Sequence, residues 1–331
     1  MKVQHRIDLL AELGQYISAN QEDWQAAKEK AYRENGWFIP AFTDRATLAI
    51  AEKFLQKDQL ERWVAAYPQL GQGPVRTVGI VMAGNIPLVG FHDWLSVFIS
   101  GHKALVKLSS RDQVLLKHLL QKLSAWDAEA ASLTGFADML KGCDAYIATG
   151  SNNSSRYFEY YFSRFPHIIR KNRTSLAILT GNESREDLEK LADDVYLYFG
   201  LGCRNVTSIR VPEGYDFVPL LEAFRSYNHL ADHHKYKNNY DYNLALHILN
   251  KKFYMTNGSI LLVEDPAIFS PISQLHYAYY TDKNALEKEL AGQEDLQCIV
   301  GEGHTGFGEG QQPGLSDYAD GVDSLAFLSS L

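Results

Sequence analysis

The order of apolar patterns along this 331-residue chain predicts an α/β protein: a helical segment first, then a parallel sheet wound with helices on both faces, then a second α/β domain. Three observations carry that prediction. Within residues 5–66, apolar side chains recur at three- and four-residue spacing (Ile7, Leu10, Leu13, Ile17; Leu48, Ile50, Phe54, Leu55), the period of amphipathic helices. From Val75 onward the texture changes to short apolar runs alternating with amphipathic segments. At roughly 150 residues per domain, the length leaves room for two domains.

Taken in order, residues 77–82, 104–108, 145–149 and 175–179 read as strands, and residues 90–100, 112–126 and 154–165 as the helices between them. Such alternation builds a parallel sheet, which binds nucleotides outside the carboxyl ends of its strands. The longest apolar stretch, 78–99, contains Asn85, Pro87, His92 and Asp93, so it reads as strand, turn and helix rather than a membrane span. Ser184 and Asp187 have the spacing of a capping pair and open a helix through Leu188, Leu191, Val195 and Tyr198 toward Gly200 and Gly202. A strand at 206–211 follows. Residues 301–314 are loop-like in composition, and the apolar end at 324–331 reads as a strand that pairs within the subunit or across a dimer.

Lysine and arginine total 32 against 40 acids, a net charge of −8, which argues against nucleic acid or an anionic membrane as the main partner. The first residues carry charges throughout and lack the apolar run of a secretory signal. Three scattered cysteines without C-x-x-C spacing indicate neither a disulfide framework nor a zinc site, so a cytoplasmic protein is expected.

Cys203 differs from the other two thiols. It stands at a glycine-rich helix-to-strand junction and precedes Arg204, surroundings that favour a thiolate, whereas Cys143 and Cys298 read as structural. His229 and His233 have the i, i+4 spacing of a metal pair, but no third ligand is evident, and the segment reads as polar surface. Gly306-Phe307-Gly308-Glu309-Gly310 neither follows a clear strand nor opens a helix, so it reads as a loop rather than a phosphate cradle. The tyrosine-rich block 236–242 is either packed aromatic surface or the lining of a channel.

Five segments in succession, Gly79-Ile80-Val81-Met82-Ala83-Gly84-Asn85-Ile86-Pro87, Val106-Lys107-Leu108-Ser109-Ser110, Ala148-Thr149-Gly150-Ser151, Gly202-Cys203 and Ile268-Phe269-Ser270-Pro271, resemble the aldehyde dehydrogenase superfamily in order and spacing. With Gly101-His102-Lys103, the block 235–243 and Asp317-Tyr318-Ala319-Asp320-Gly321-Val322-Asp323, the resemblance is most similar to the LuxC-type acyl-CoA reductases and covers nearly the whole chain. It implies a Rossmann-type nucleotide-binding domain with its helical preface at 1–169, a catalytic thiol domain at 170–315 and a carboxyl-terminal arm at 316–331.

The resemblance also implies roles. Cys203 is the nucleophile that forms an acyl-enzyme, and Asn85 donates to the oxyanion, although an Asn-Ile-Pro turn needs no such role to explain it. Lys107 contacts the adenosine ribose; Ser110, where many NAD-dependent relatives have a glutamate, and Arg111 beside it favour the 2′-phosphate of NADPH. Gly150 and Ser151 receive the pyrophosphate at a helix start, a place where a plain N-cap would look the same, and Phe269 packs near the nicotinamide ribose.

Two departures stand out. Ala267 occupies a position often held by a ribose-binding glutamate, and Arg170 falls where acid-forming relatives keep the glutamate that activates water. The cluster Arg170, Lys171, Arg173 is either a site for coenzyme A phosphates or a solvated face. The expected activity is NADPH-dependent reduction of a long-chain fatty acyl-CoA, or an acyl-protein, to the aldehyde without a metal. The alternatives are oxidation of an aldehyde to the acid with NAD(P) and a non-catalytic subunit of a fatty acid reductase complex. A homo-oligomer is expected, with an acyl synthetase as a candidate partner.

Overall fold

Four helices precede the first strand: α1 (Val3–Ala19), α2 (Glu22–Glu34), α3 (Pro40–Lys53) and α4 (Lys57–Ala65). Strands and helices then alternate through β1 (Thr77–Val81), α5 (Phe91–Ser100), β2 (Lys103–Lys107), α6 (Leu115–Trp126), α7 (Ala128–Ser132), β3 (Thr134–Phe136), β4 (Ala145–Thr149), α8 (Asn152–Phe162) and β5 (His167–Arg170). The second half continues with β6 (Thr174–Ile178), α9 (Arg185–Tyr196), β7 (Val206–Pro212), α10 (Val218–Ala223), α11 (His234–Leu249), β8 (Met255–Thr256), β9 (Leu261–Glu264), β10 (Gln274–Tyr280), α12 (Lys283–Leu290) and β11 (Leu296–Val300), and a last helix, α13 (Ser324–Ser329), ends the chain. This computed structural model describes residues Met1–Leu331, the side chain of Asn152 excepted. The chain divides into two units, Met1–Asn172 with Pro313–Leu331, and Arg173–Gln312.

The first unit is built on a five-stranded sheet of order β3-β2-β1-β4-β5, parallel throughout. The chain winds outward from β1 to β3 and then resumes on the other side at β4, so the connections reverse between β1 and β4, the kind of switch point where a crevice opens at the carboxyl ends of strands. α5 is buried nearly all round: Phe91, Trp94, Leu95, Val97, Phe98 and Ile99 are covered, and so are Asp93, Ser96 and Ser100 on its polar side. A helix of that kind needs cover on both faces. It shares its core with β1 and β2 through Val78, Ile80 and Val106, with the helical preface through Leu10, Leu13 and Leu60, and with α13 through Leu325 and Leu328.

The apolar carboxyl end is therefore a helix where a strand is expected. A run this short does not distinguish the two by composition. Asp323 decides the outcome by accepting from the Ala326 N–H at 2.8 Å as N-cap, and Leu325 and Leu328, three residues apart, fall on the one face that meets α5. Residues 313–331 belong to the first unit and are clasped there by side chains from distant sequence: Tyr67 donates to Asp323 at 2.7 Å, Trp63 to the Tyr318 hydroxyl at 2.8 Å, and His102 meets the Leu328 carbonyl at 3.0 Å.

The second unit carries a six-stranded sheet of order β11-β6-β7-β10-β9-β8, parallel except for the short edge strand β8. α9 begins at the Ser184 and Asp187 pair, which forms a full capping box. The loop before β7 and the loop between β9 and β10 reach the same amino edge of the sheet, because β7 and β10 are parallel neighbours.

Candidate active site

In the first unit the candidate residues lie on three loops at the carboxyl edge of the sheet. Asn85, half-buried, sits on the loop that leaves β1, and this loop rests on the one that leaves β2. Gly84 makes the close approach: a Cβ there would lie 2.6 Å from the Ser109 hydroxyl. Asp112 fastens the same loop by accepting from the Leu88 N–H at 2.8 Å, and Leu88 holds a left-handed φ of 55°. Burial among Met82, Leu88, Phe91, Leu108 and Leu116 pushes the Asp112 carboxyl up to about 6 despite the Leu88 and Leu115 N–H groups that favour its charge.

Lys107, Ser110 and Arg111 are exposed at the end of β2 and the turn beyond it. With Asp112 turned inward, residues 107–111 present two cations and two hydroxyls and no carboxylate. Gly150 and Ser151 form the entrance to α8, where the Ser151 hydroxyl accepts from the Ser154 N–H at 3.3 Å as N-cap. A Cβ on Gly150 would lie 2.8 Å from the Phe158 ring, so only glycine lets the helix start this close to the strand end.

In the second unit Cys203 is half-buried in the turn between α9 and β7. The chain reaches it through three successive left-handed residues, Tyr198, Phe199 and Gly200, at φ 54°, 58° and 72°. The Ser175 hydroxyl donates to the Cys203 carbonyl at 3.1 Å, and the Asn205 side chain accepts from the Gly202 N–H at 2.8 Å. Phe269, half-buried, lies on the β9–β10 loop, which Thr207 of β7 ties down by donating to the Ile268 carbonyl at 2.6 Å. The other two thiols are pushed up by burial: Cys143 in the first unit and Cys298, which meets the Ser175 hydroxyl at 3.1 Å, in the second.

The glycine-rich segment serves a protein carboxylate. Asp194, wholly buried on α9, accepts from the Gly308 N–H at 2.7 Å and the Gly310 N–H at 2.9 Å, so those amides are spent inside the fold. The basic trio does not form a phosphate site as a group. Arg170 is buried, donating at 2.9 Å to Asp93, at 2.8 Å to the Ser324 hydroxyl and also to the Ala319 carbonyl. Lys171 pairs with Glu159 at 3.2 Å, and Arg173 donates to the Leu296 carbonyl at 3.1 Å. Among the described residues, no three His, Cys, Asp or Glu side chains are placed to hold a metal, and no helix is long and apolar enough to cross a membrane.

No protein-family model and no curated protein sequence matches this chain. Solved structures do. Aldehyde dehydrogenase 21 from Physcomitrella patens, in complex with the reaction product succinate, superposes with a TM-score of 0.65 over 91% of this chain and 74% of its own, at 12% identity. An NAD-dependent aldehyde dehydrogenase from Sinorhizobium meliloti gives 0.66 over 91% and 70%, at 13% identity. A mutant indole-3-acetaldehyde dehydrogenase from P. syringae, in complex with NAD+ and IAA, gives 0.62 over 91% and 72%, at 12% identity. This chain has the aldehyde dehydrogenase fold.

Within that fold, sequence reasoning missed the residues that hold the candidate loops in place. Asp112 reads as the start of a helix, Asp194 as one acid of an amphipathic helix, and Ser175 and Asn205 as ordinary strand-end residues. Asp112 and Asn205 stand one and two residues from Arg111 and Cys203, which is the one signal in the sequence; Ser175 and Asp194 carry none. Whether such a residue is buried against a loop depends on sheet neighbours far away in sequence.

Proposed function

We propose that this protein is a LuxC-type acyl-CoA reductase, which reduces a fatty acyl-CoA thioester to the aldehyde with NADPH through an acyl thioester on Cys203. The observation that carries this reading over acid formation is Arg170. At the position where acid-forming relatives keep a water-activating glutamate, this chain has a guanidinium buried against Asp93. With no base there, an acyl-enzyme is expected to resist hydrolysis and persist until it is reduced.

In the proposed mechanism the Cys203 thiolate adds to the thioester carbonyl carbon, and the coenzyme A thiolate leaves as the new thioester forms. Asn85 is assigned the side-chain donor to the oxyanion, a contact class worth about 3 to 4 kcal/mol. Lys107, Ser110 and Arg111 would hold the ribose and its 2′-phosphate, Gly150 and Ser151 the pyrophosphate, and Phe269 the nicotinamide end. When bound, NADPH would supply the hydride that, with a proton, turns the thioester carbonyl on Cys203 into a thiohemiacetal. The thiohemiacetal on Cys203 then collapses, its C–S bond breaking to release the aldehyde while the sulfur regains a proton.

The test is to incubate the purified protein with acyl-CoA of several chain lengths and NADPH, following free coenzyme A, aldehyde, acid and oxidised cofactor, with Cys203→Ala alongside. Aldehyde and coenzyme A in equal amounts are expected, with no turnover by the variant. Full activity in Cys203→Ala overturns the nucleophile. Acid as the product returns the reading to aldehyde oxidation, and no turnover at any chain length favours a non-catalytic subunit.

A further inference from the structure

We infer that Asn205 and Ser175 are the positioning residues for Cys203, holding the backbone at Gly202 and at Cys203 itself; this rests on the proposed role of Cys203 as nucleophile. Asn205 has no exposed surface, and all of its polar groups are engaged. Its side-chain oxygen accepts from the Gly202 N–H at 2.8 Å, and its side-chain nitrogen donates to the Asp194 carbonyl at 3.0 Å and the Leu197 carbonyl at 2.9 Å. Its own N–H donates to the Gly202 carbonyl at 3.1 Å, and its carbonyl accepts from the Ser175 N–H at 3.0 Å. One side chain thus ties the carbonyls at the end of α9 to the residue before Cys203. Those carbonyls are groups that a helix end leaves without partners of its own.

The partner set selects the residue. Carbonyls on one side and an N–H on the other call for an amide, because a carboxylate would face the carbonyls with like polarity and a hydroxyl is too short to span both. On the neighbouring strand Ser175, also without exposed surface, donates its hydroxyl to the Cys203 carbonyl at 3.1 Å.

What these anchors restrain is a strained entry. Tyr198 and Phe199 are both non-glycine, both buried and both left-handed, a conformation that persists only where surrounding contacts over-determine it. A loop held in this way fixes the direction of the Cys203 N–H and side chain before substrate arrives, and displacement of a reacting group by about 1 Å costs on the order of 100-fold in rate.

The experiment compares wild type with Asn205→Ala, Asn205→Asp, Ser175→Ala and Cys298→Ala. Two readouts are used: the pH profile of iodoacetamide alkylation at Cys203, resolved from the other thiols by peptide mass spectrometry, and kcat and KM with acyl-CoA and NADPH. The expected result is a displaced Cys203 alkylation profile and a kcat lowered on the order of 100-fold in Asn205→Ala and Asn205→Asp. A smaller loss in the same direction is expected for Ser175→Ala, with the acyl-CoA KM within about threefold throughout. Cys298→Ala, which removes the other contact of the Ser175 hydroxyl, should leave the Cys203 profile unchanged. If the Asn205 variants do not fold, Ser175→Ala decides. Wild-type kcat and profile in the folded variants overturn the inference. If wild type fails to turn over acyl-CoA, the proposed activity falls, while the alkylation profiles still test whether these residues position the thiol.

Discussion

Asp112 and Leu88, 24 residues apart, are joined by a 2.8 Å hydrogen bond in which a buried carboxylate accepts from the N–H of a residue in a left-handed conformation. The bond closes the loop that carries Asn85 against the loop that carries Lys107, Ser110 and Arg111. Two stretches of candidate residues in the first unit thus share one fastening, and that fastening is titratable.

The Asp112 carboxyl is raised to about 6 from an ordinary value of 3.8, chiefly by desolvation. The folded state therefore binds the proton more tightly than the unfolded chain does. The stability gained from that proton is fully present below about pH 4 and is lost as the pH rises through about 6. Asp112→Asn, which keeps an acceptor for the Leu88 N–H, should remove this dependence and gain stability relative to wild type between pH 4 and pH 7.5, by up to about 3 kcal/mol. Urea unfolding of both proteins at the two pH values measures the difference. A gap that does not change with pH contradicts the assignment.

Arg170 is bound to Asp93, Ser324 and the Ala319 carbonyl, so its contribution is to hold the carboxyl-terminal segment. Arg170→Ala leaves the Asp93 carboxylate without that partner in the interior and should cost about 3 to 5 kcal/mol, visible as a lower thermal midpoint. The KM for acyl-CoA should be unaffected in the protein that remains folded, because the guanidinium does not reach solvent. A large rise in that KM at unchanged stability would restore Arg170 as a phosphate ligand.

On the proposed reading of the 2′-phosphate site, Ser110→Glu combined with Arg111→Ala should shift cofactor preference from NADPH toward NADH. The first change places a carboxylate against a 2′-phosphate, and the second removes a charge-assisted hydrogen bond worth about 1.5 to 3 kcal/mol. The ratio of kcat/KM for NADPH to that for NADH is expected to fall by about tenfold or more. A ratio that does not move shows that the phosphate is read elsewhere.

Gly150→Ala brings a methyl group to 2.8 Å from Phe158, whose ring stacks on Phe162, itself stacked on Tyr146 at 4.0 Å. Because the ring is braced by that stack, the start of α8 has to move instead. The dissociation constant for NADPH, measured by fluorescence titration, should rise by about tenfold, with little change in the thermal midpoint.

Local pattern made much of the fold legible. The five strands expected at 77–82, 104–108, 145–149, 175–179 and 206–211 occur within two residues of those bounds, and Ser184 opens α9 as its spacing predicts. β3, β5 and β8–β11 are not legible in the sequence, because strands of two to seven residues with mixed burial carry little periodicity. At the carboxyl end eight residues of apolar texture fit a strand or a helix equally; the Asp323 cap and the face of α5 resolve it as a helix.

By itself, then, the sequence determined the α/β class, the parallel sheet that follows from alternating strands and helices, and the positions of Cys203 and Asn85 on turns. These follow from local periodicity and turn chemistry, which act over a few residues. Only the tertiary structure decided that Arg170 is an interior ion pair, that the Gly308 and Gly310 amides are spent on Asp194, and that Asn205 and Ser175 grip the backbone around Cys203. Each of these depends on a polar group losing water against a partner brought close by folding, and the cost of leaving a buried polar group unsatisfied selects the partner.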